Sequence, residues 1–83
     1  MQTRYSYAYG NLAYSYLHLR DYSKSVAASD KAIALKADFI WSRLTRAEAL
    51  EALGRNPDAL EDYRYALLID PSNNRAQEGI VQH

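Results

Sequence analysis

The chain of 83 residues contains no cysteine, two prolines, three glycines and a single methionine. Without cysteine there is no disulfide, no thiolate metal ligand and no thiol nucleophile, so packing and hydrogen bonds alone must hold the fold. With so little proline and glycine, long uninterrupted elements are permitted. No apolar run approaches the roughly 20 residues that a membrane-spanning helix needs. The N-terminal MQTRYSYAYG lacks the apolar centre of a signal peptide, so the expected location is cytoplasmic, with no membrane partner. An excess of one charge is also missing: ten Lys and Arg balance ten Asp and Glu. That removes the electrostatic reason to expect nucleic acid or an anionic membrane surface.

What is present is a moderately apolar chain of one-domain length, short enough that folding buries only about 60% of the unfolded surface. The balanced charge is unevenly distributed. Residues 1–46 carry seven basic and three acidic groups, and residues 47–83 carry three basic and seven acidic. Six of the eight tyrosines crowd into residues 5–22 around YGNLAYSYLHLRDY, together with Asn11 and His18.

Sliding the sequence against itself by 34 residues brings Ala13 onto Ala47, Tyr16 onto Leu50, Leu19 onto Leu53, Val26 onto Leu60, Ala32 onto Ala66, Ile33 onto Leu67 and Leu35 onto Ile69. Such a period signals a repeat architecture. Tyr5, Tyr9, Leu12, Tyr16 and Leu19 follow steps of four and three, which predicts a helix over about residues 4–19 with these five as its core stripe. In the second unit Gly54 suits a left-handed helix end, Asn56 a cap, Pro57 a first helical position and Asp58 the positive end of the dipole. At the matching place the first unit has Arg20, whose left-handed conformation would cost about 1 kcal/mol relative to Gly. Pro71 ends the fourth helix, and Ser72, Asn73 and Asn74 offer caps for a last short helix containing Ile80 and Val81.

The expected fold is therefore all-α: four helices of about 13 to 16 residues in two antiparallel pairs, followed by a capping helix. As one domain over residues 1–83, it divides into a first unit at about 6–39, a second at about 40–73 and the cap at about 74–82.

The sequence resembles the tetratricopeptide repeat (TPR) family on Tyr9, Leu12, Ala13, Tyr16, Ser25, Ser29, Ala32 and Ala37 in the first unit. The second unit matches with Ala47, Leu50, Gly54, Ala59, Tyr63, Ala66 and Pro71. The resemblance implies a short right-handed solenoid. Ser25 and Ser29 depart from the expected Ala and aromatic, Ala37 from Pro, and Arg43 and Arg46 from an aromatic and a Leu. Two arginines turned toward a core must snorkel, and Ile40 or Leu44 is expected to turn inward in compensation.

A closer resemblance is to the last two repeats and closing helix of three-repeat TPR domains of chaperone cofactors, which clamp the C-terminal carboxylate of heat-shock chaperones. Asn11 occupies the place of an Asn that contacts the peptide end in that family. The places of its Lys and Arg hold Trp41 and Thr45 here. A buried carboxylate needs charge-assisted donors worth about 1.5 to 3 kcal/mol each, which one Asn does not supply.

Projected from the family arrangement, the concave face receives Tyr7, Asn11, Tyr14 and His18 from the first unit and Trp41, Leu44, Thr45 and Glu48 from the second. One reading is a groove for a peptide or partner segment, because Tyr and Trp dominate interface hot spots and an amide both donates to and accepts from a peptide backbone. The other is that Tyr7, Tyr14 and Trp41 pack against a preceding repeat or another chain. The open flank of a two-repeat stack equally favours self-association into a homo-oligomer or stacking on further repeats, since about three repeats are needed for a stable array.

No reaction centre emerges. His18 has no nucleophile or metal partner in the sequence pattern, His83 lies at the chain end, and Glu48 and Glu51 read as a solvated face. The expectation is a protein-interaction module with no catalytic residue, no metal and no cofactor.

Overall fold

Arg20 and Gly54, one period apart, both adopt the left-handed conformation, with φ of 64° and 80°. At each, the chain leaves a helix through the same pair of hydrogen bonds. The Arg20 amide donates to the Leu17 carbonyl and that of Asp21 to Tyr16, at 3.0 and 2.9 Å; one period later Gly54 donates to Glu51 and Arg55 to Leu50, at 3.0 and 2.8 Å. This double closure satisfies carbonyls that a helix end leaves unpaired. Arginine performs it where glycine would do so without a Cβ penalty.

The computed structural model describes residues 2–81, with side chains from residue 4 onward. Among the described residues there are five helices: α1 (Gln2–His18), α2 (Tyr22–Leu35), α3 (Ile40–Ala52), α4 (Asn56–Ile69) and α5 (Asn74–Val81). Each packs on the next, and α1 also touches α3. The result is two helix-turn-helix units and a capping helix, as the period requires. The end of the cap at residue 82, and His83, lie outside the described residues.

Caps fix the remaining boundaries. The Asp21 side chain accepts from the Lys24 amide and starts α2. Asn73 Oδ1 accepts from the Ala76 amide at 2.9 Å and starts α5. Asn56, expected to cap α4, is already inside it. The turn ends at Arg55, whose amide is held by Leu50, so the helix begins one residue early and Arg55 pairs with Asp58 at 2.7 Å instead.

The core is built on small residues. Ala13, Ala32, Ala47, Ala49, Ala59, Ala66 and Ala76 are fully buried, with Leu50 and Tyr63 supplying bulk in the second unit. Close approach is needed at two glycines: a Cβ on Gly10 would stand 2.8 Å from the Phe39 ring, and one on Gly79 would be driven into the ring of Tyr63. Ser25 fits its buried place by donating from Oγ to the Ala13 carbonyl at 2.8 Å.

The stripe expected to be core on α1 is not core. Tyr5, Leu12 and Leu19 are 61%, 42% and 75% exposed, and Tyr9 and Tyr16 are only half-buried. The face that α1 buries is the small one, Ser6, Gly10 and Ala13, because only small side chains let α1 approach Phe39 and Ser42. The large residues point to the flank where no further helix stands.

Arg43 and Arg46 snorkel into defined partners. Arg46 forks onto Asp62, with Nε and Nη2 donating to the two carboxylate oxygens at 2.8 and 2.7 Å, and its Nη1 reaches Asp30 at 2.7 Å. Arg43 stacks 3.8 Å above the Tyr65 ring, bonds the Ala37 carbonyl and lies 3.5 Å from Asp62. Asp62 is 2% exposed. This cluster ties α2, α3 and α4 together around a cleft of about 270 Å³. Ile40 and Leu44 turn toward the core, as compensation required.

Candidate functional site

The face shared by α1 and α3 carries a row of aromatic rings. Tyr7 and Tyr14 lie two turns apart on α1, while Trp41 stands in the first turn of α3 with Phe39 just before it. The Phe39 ring meets Tyr7 edge-on at 5.0 Å and Trp41 at 6.0 Å; Trp41 meets Tyr14 at 5.3 Å, and Tyr14 meets His18 at 4.3 Å. Tilted and edge-to-face contacts at these separations are favourable for aromatic pairs, so the row is preorganised. Tyr7, Tyr14 and Trp41 nevertheless keep between 38% and 47% of their surface exposed. Asn11, between the two tyrosines on α1, is exposed as well.

Beyond the row, α5 adds a polar end. Arg75 Nη2 lies 3.1 Å from Glu48 and 3.7 Å from Glu51, and its guanidinium sits 5.3 Å from the centre of the Tyr63 ring. The Tyr63 hydroxyl donates to Glu51 Oε1 at 2.6 Å. Burial, then the bond to Glu51, pushes the Tyr63 phenol above its usual pKa. Burial works against the Arg75 charge, yet the attraction of Glu48 and its neighbours outweighs it, leaving the guanidinium more firmly protonated. Glu48 and Glu51 are thus a partnered pair rather than the solvated face expected from sequence.

The structure brings Tyr7, Asn11, Tyr14, His18 and Trp41 onto one surface and sets Glu48 at its far end. It removes Thr45, which is 2% exposed. One turn beyond Ser42 on the side of α3 that faces α1, Thr45 is covered where its counterpart Asn11 is open. Leu44 is half-buried against the core and contributes to packing more than to the surface. Two residues of the site were not anticipated. Phe39 precedes α3 and so escapes a helical projection, although an aromatic two residues from Trp41 was a signal. Arg75 was hidden in the capping helix.

Among the described residues no group of three His, Cys, Asp or Glu could hold a metal ion. No described helix is long and apolar enough to cross a membrane.

Residues 6–39 match the family described as tetratricopeptide repeat. Among curated proteins, the chain is 34% identical over 68 residues to Translocon at the outer membrane of chloroplasts 64 of Pisum sativum, covering 82% of this chain. It is 35% identical over 74 residues to Mitochondrial import receptor subunit TOM70 of Saccharomyces cerevisiae, covering 89%. The chain spans only 12% of the length of either relative. Among solved structures, the Arabidopsis OM64 TPR domain superposes with a TM-score of 0.91 at 27% identity. The second TPR domain of human RPAP3, solved in complex with the HSP70 peptide SGPTIEEVD, does so with 0.89 at 25%. Each superposition covers 93% of this chain and 64% of the other.

Proposed function

We propose, for a chain that belongs to the tetratricopeptide repeat family, a protein-binding and non-catalytic one, that the row from Tyr7 to His18 receives an extended peptide or partner segment. The role is that of an interaction scaffold of co-chaperone type. The observation that carries the reading is the continuous, half-exposed ring row with an exposed amide beside it. Rigid rings give large contact area at low entropic cost, and their truncation at interface centres costs about 2 kcal/mol or more. Asn11 supplies a donor and an acceptor for the bound backbone.

The chemistry favours an apolar or aromatic segment over an acidic chain end. The two places where a carboxylate clamp would put cations hold Trp41 and the buried Thr45, and the Arg75 guanidinium is engaged by Glu48. Titration with SGPTIEEVD and with apolar peptides, followed by Trp41 fluorescence and backbone NMR, tests the proposal. Apolar peptides are expected to shift Asn11, Tyr14, Phe39 and Trp41, and amidating the C-terminus of SGPTIEEVD to leave its weak affinity unchanged. Shifts confined to α2 and α4 would overturn the site, and strong dependence on the free carboxylate would overturn the selectivity. The compartment in this reading is the cytoplasm, which imaging of a tagged chain checks.

A second reading, favoured by the exposed Tyr5, Leu12 and Leu19, is that the chain acts as a structural segment, stacking on copies of itself or on further repeats without a peptide ligand.

A further inference from the structure

Glu48 stands where the ring row ends. It follows Trp41 by seven residues on α3, which is two turns, about 10 Å, along nearly the same face. Between them that face holds Leu44, packed against the core, and the buried Thr45, neither of which offers a charge. A ligand that leaves the Trp41 ring in this direction next meets the Glu48 carboxylate.

Anions and cations are not received alike there. Arg75 Nη2 is divided between Glu48 Oε1 at 3.1 Å and Glu51 Oε1 at 3.7 Å, and its guanidinium also sits over the Tyr63 ring. An incoming carboxylate would meet a cation already held by two others. An incoming ammonium or guanidinium meets Glu48, whose side chain stays 39% exposed. A carboxylate accepts about four hydrogen bonds over its two oxygens, so Glu48 takes a second donor without releasing Arg75.

The surroundings favour the same sign. Residues 47–83, which supply the end of α3 together with α4 and α5, carry seven acidic and three basic groups, and such an excess draws cations toward this end of the groove. Exposed ring faces also attract ammonium and guanidinium groups. The chain stacks its own cations in this way, with Lys24 over Tyr16, Lys31 over Tyr9, Arg43 over Tyr65 and Arg75 over Tyr63.

We propose that the segment received by the ring row carries a basic residue: an aromatic or large apolar side chain packs on Tyr14 and Trp41, and a Lys or Arg about three residues away donates to Glu48. An extended chain covers about 10 Å in roughly three residues. Glu48 thus sets the charge of the peptide, a role that rests on the peptide-binding reading and that can fail while that reading stands.

The test uses the full chain and three peptides, acetylated and amidated, GLFSGKSG, GLFSGQSG and GLFSGESG, titrated against Trp41 fluorescence and backbone NMR. The lysine peptide is expected to bind about threefold tighter than the glutamine peptide, the scale of one half-exposed ion pair, and the glutamate peptide more weakly than either. High salt should erase these differences. Glu48→Gln should make the lysine and glutamine peptides equal. Arg75→Gln leaves Glu48 to the ligand alone and should widen the preference for lysine to about fivefold; the ratio between peptides is the readout, which a mere loosening of α5 does not move. Equal affinities of the three peptides, with Trp41 still shifting, would overturn the basic preference and leave the peptide site standing. Absence of any Trp41 shift would overturn both. A preference for lysine that survives Glu48→Gln, or that shrinks in Arg75→Gln, would likewise overturn the proposal.

Discussion

Replacing Asp62 by alanine removes the acceptor on which both bonds of the Arg46 fork converge. Asp62 lies within the α3–α4 seam, and the Arg46 and Arg43 side chains facing it are 21% and 15% exposed. Breaking a buried pair on one side costs about 3 to 5 kcal/mol, because the remaining charge is left without compensation. Arg46 keeps Asp30 at 2.7 Å, and Arg43 keeps the Ala37 carbonyl and the Tyr65 ring. The expected loss is therefore at the lower end, about 3 kcal/mol, a large share of the roughly 4 to 12 kcal/mol available to a chain of this length. The double variant Arg46→Leu/Asp62→Ala reproduces the apolar pair Leu12/Ala28 of the first unit, and its loss should be only about 1 kcal/mol, because the forked charges leave together, Asp30 is 55% exposed to water and Arg43 keeps the Ala37 carbonyl and the Tyr65 ring. Urea unfolding followed by far-UV circular dichroism measures these two variants and Arg46→Leu alone, and the double-mutant cycle isolates the pair. If Asp62→Ala costs less than about 1 kcal/mol, or if the two single losses simply add, the cluster is a surface ion pair and not a lock between the units.

Other expectations follow from the same contacts. Arg20→Gly relieves a left-handed arginine and should stabilise by about 1 kcal/mol in urea unfolding. Ser29 is fully buried and its Oγ has no hydrogen-bond partner; Ser29→Ala should therefore stabilise by about 1 kcal/mol. Burial and the bond to Glu51 raise the Tyr63 phenol above its unfolded value. Its contribution is thus intact below about pH 10 and lost as pH rises through the folded value, so unfolding free energy should fall steeply above pH 10 and less so in Tyr63→Phe.

Local chemistry made the fold legible. The two left-handed turns, Pro57 and the Asn73 cap are written into a few adjacent residues each. Long-range partners were not. Arg43 and Arg46 stood out as misfits, but the residue that satisfies both, Asp62, lies on the facing helix, and no spacing rule links them. Periodicity found the apolar stripe of α1 correctly and assigned it the wrong neighbour, because a period reports which residues share a face and not what covers it. The candidate surface shows the same limit. Helical projection gathered Tyr7, Asn11, Tyr14, His18 and Trp41 but could not see that Thr45 is covered while Asn11 is open.

Comparison of equivalent positions explains why two units with one backbone plan are not interchangeable. Asp30 is needed on α2 because Arg46 follows it one unit later, and the pair fixes the order in which these units stack. Were α3–α4 placed ahead of α1–α2, Arg64, the counterpart of Asp30, would meet the apolar Leu12, and a charge would be brought against a surface with no carboxylate to receive it. Order in the stack is thus encoded by where the period is broken, at Leu12 against Arg46 and Ala28 against Asp62, rather than by the alanines that recur at the period and make stacking possible. The tyrosines follow the same division. Tyr7 and Tyr14 serve the open face, Tyr9 and Tyr16 the flank beneath two lysines, and Tyr63 the sealed core, so each acquires its role from the helix that does or does not stand opposite.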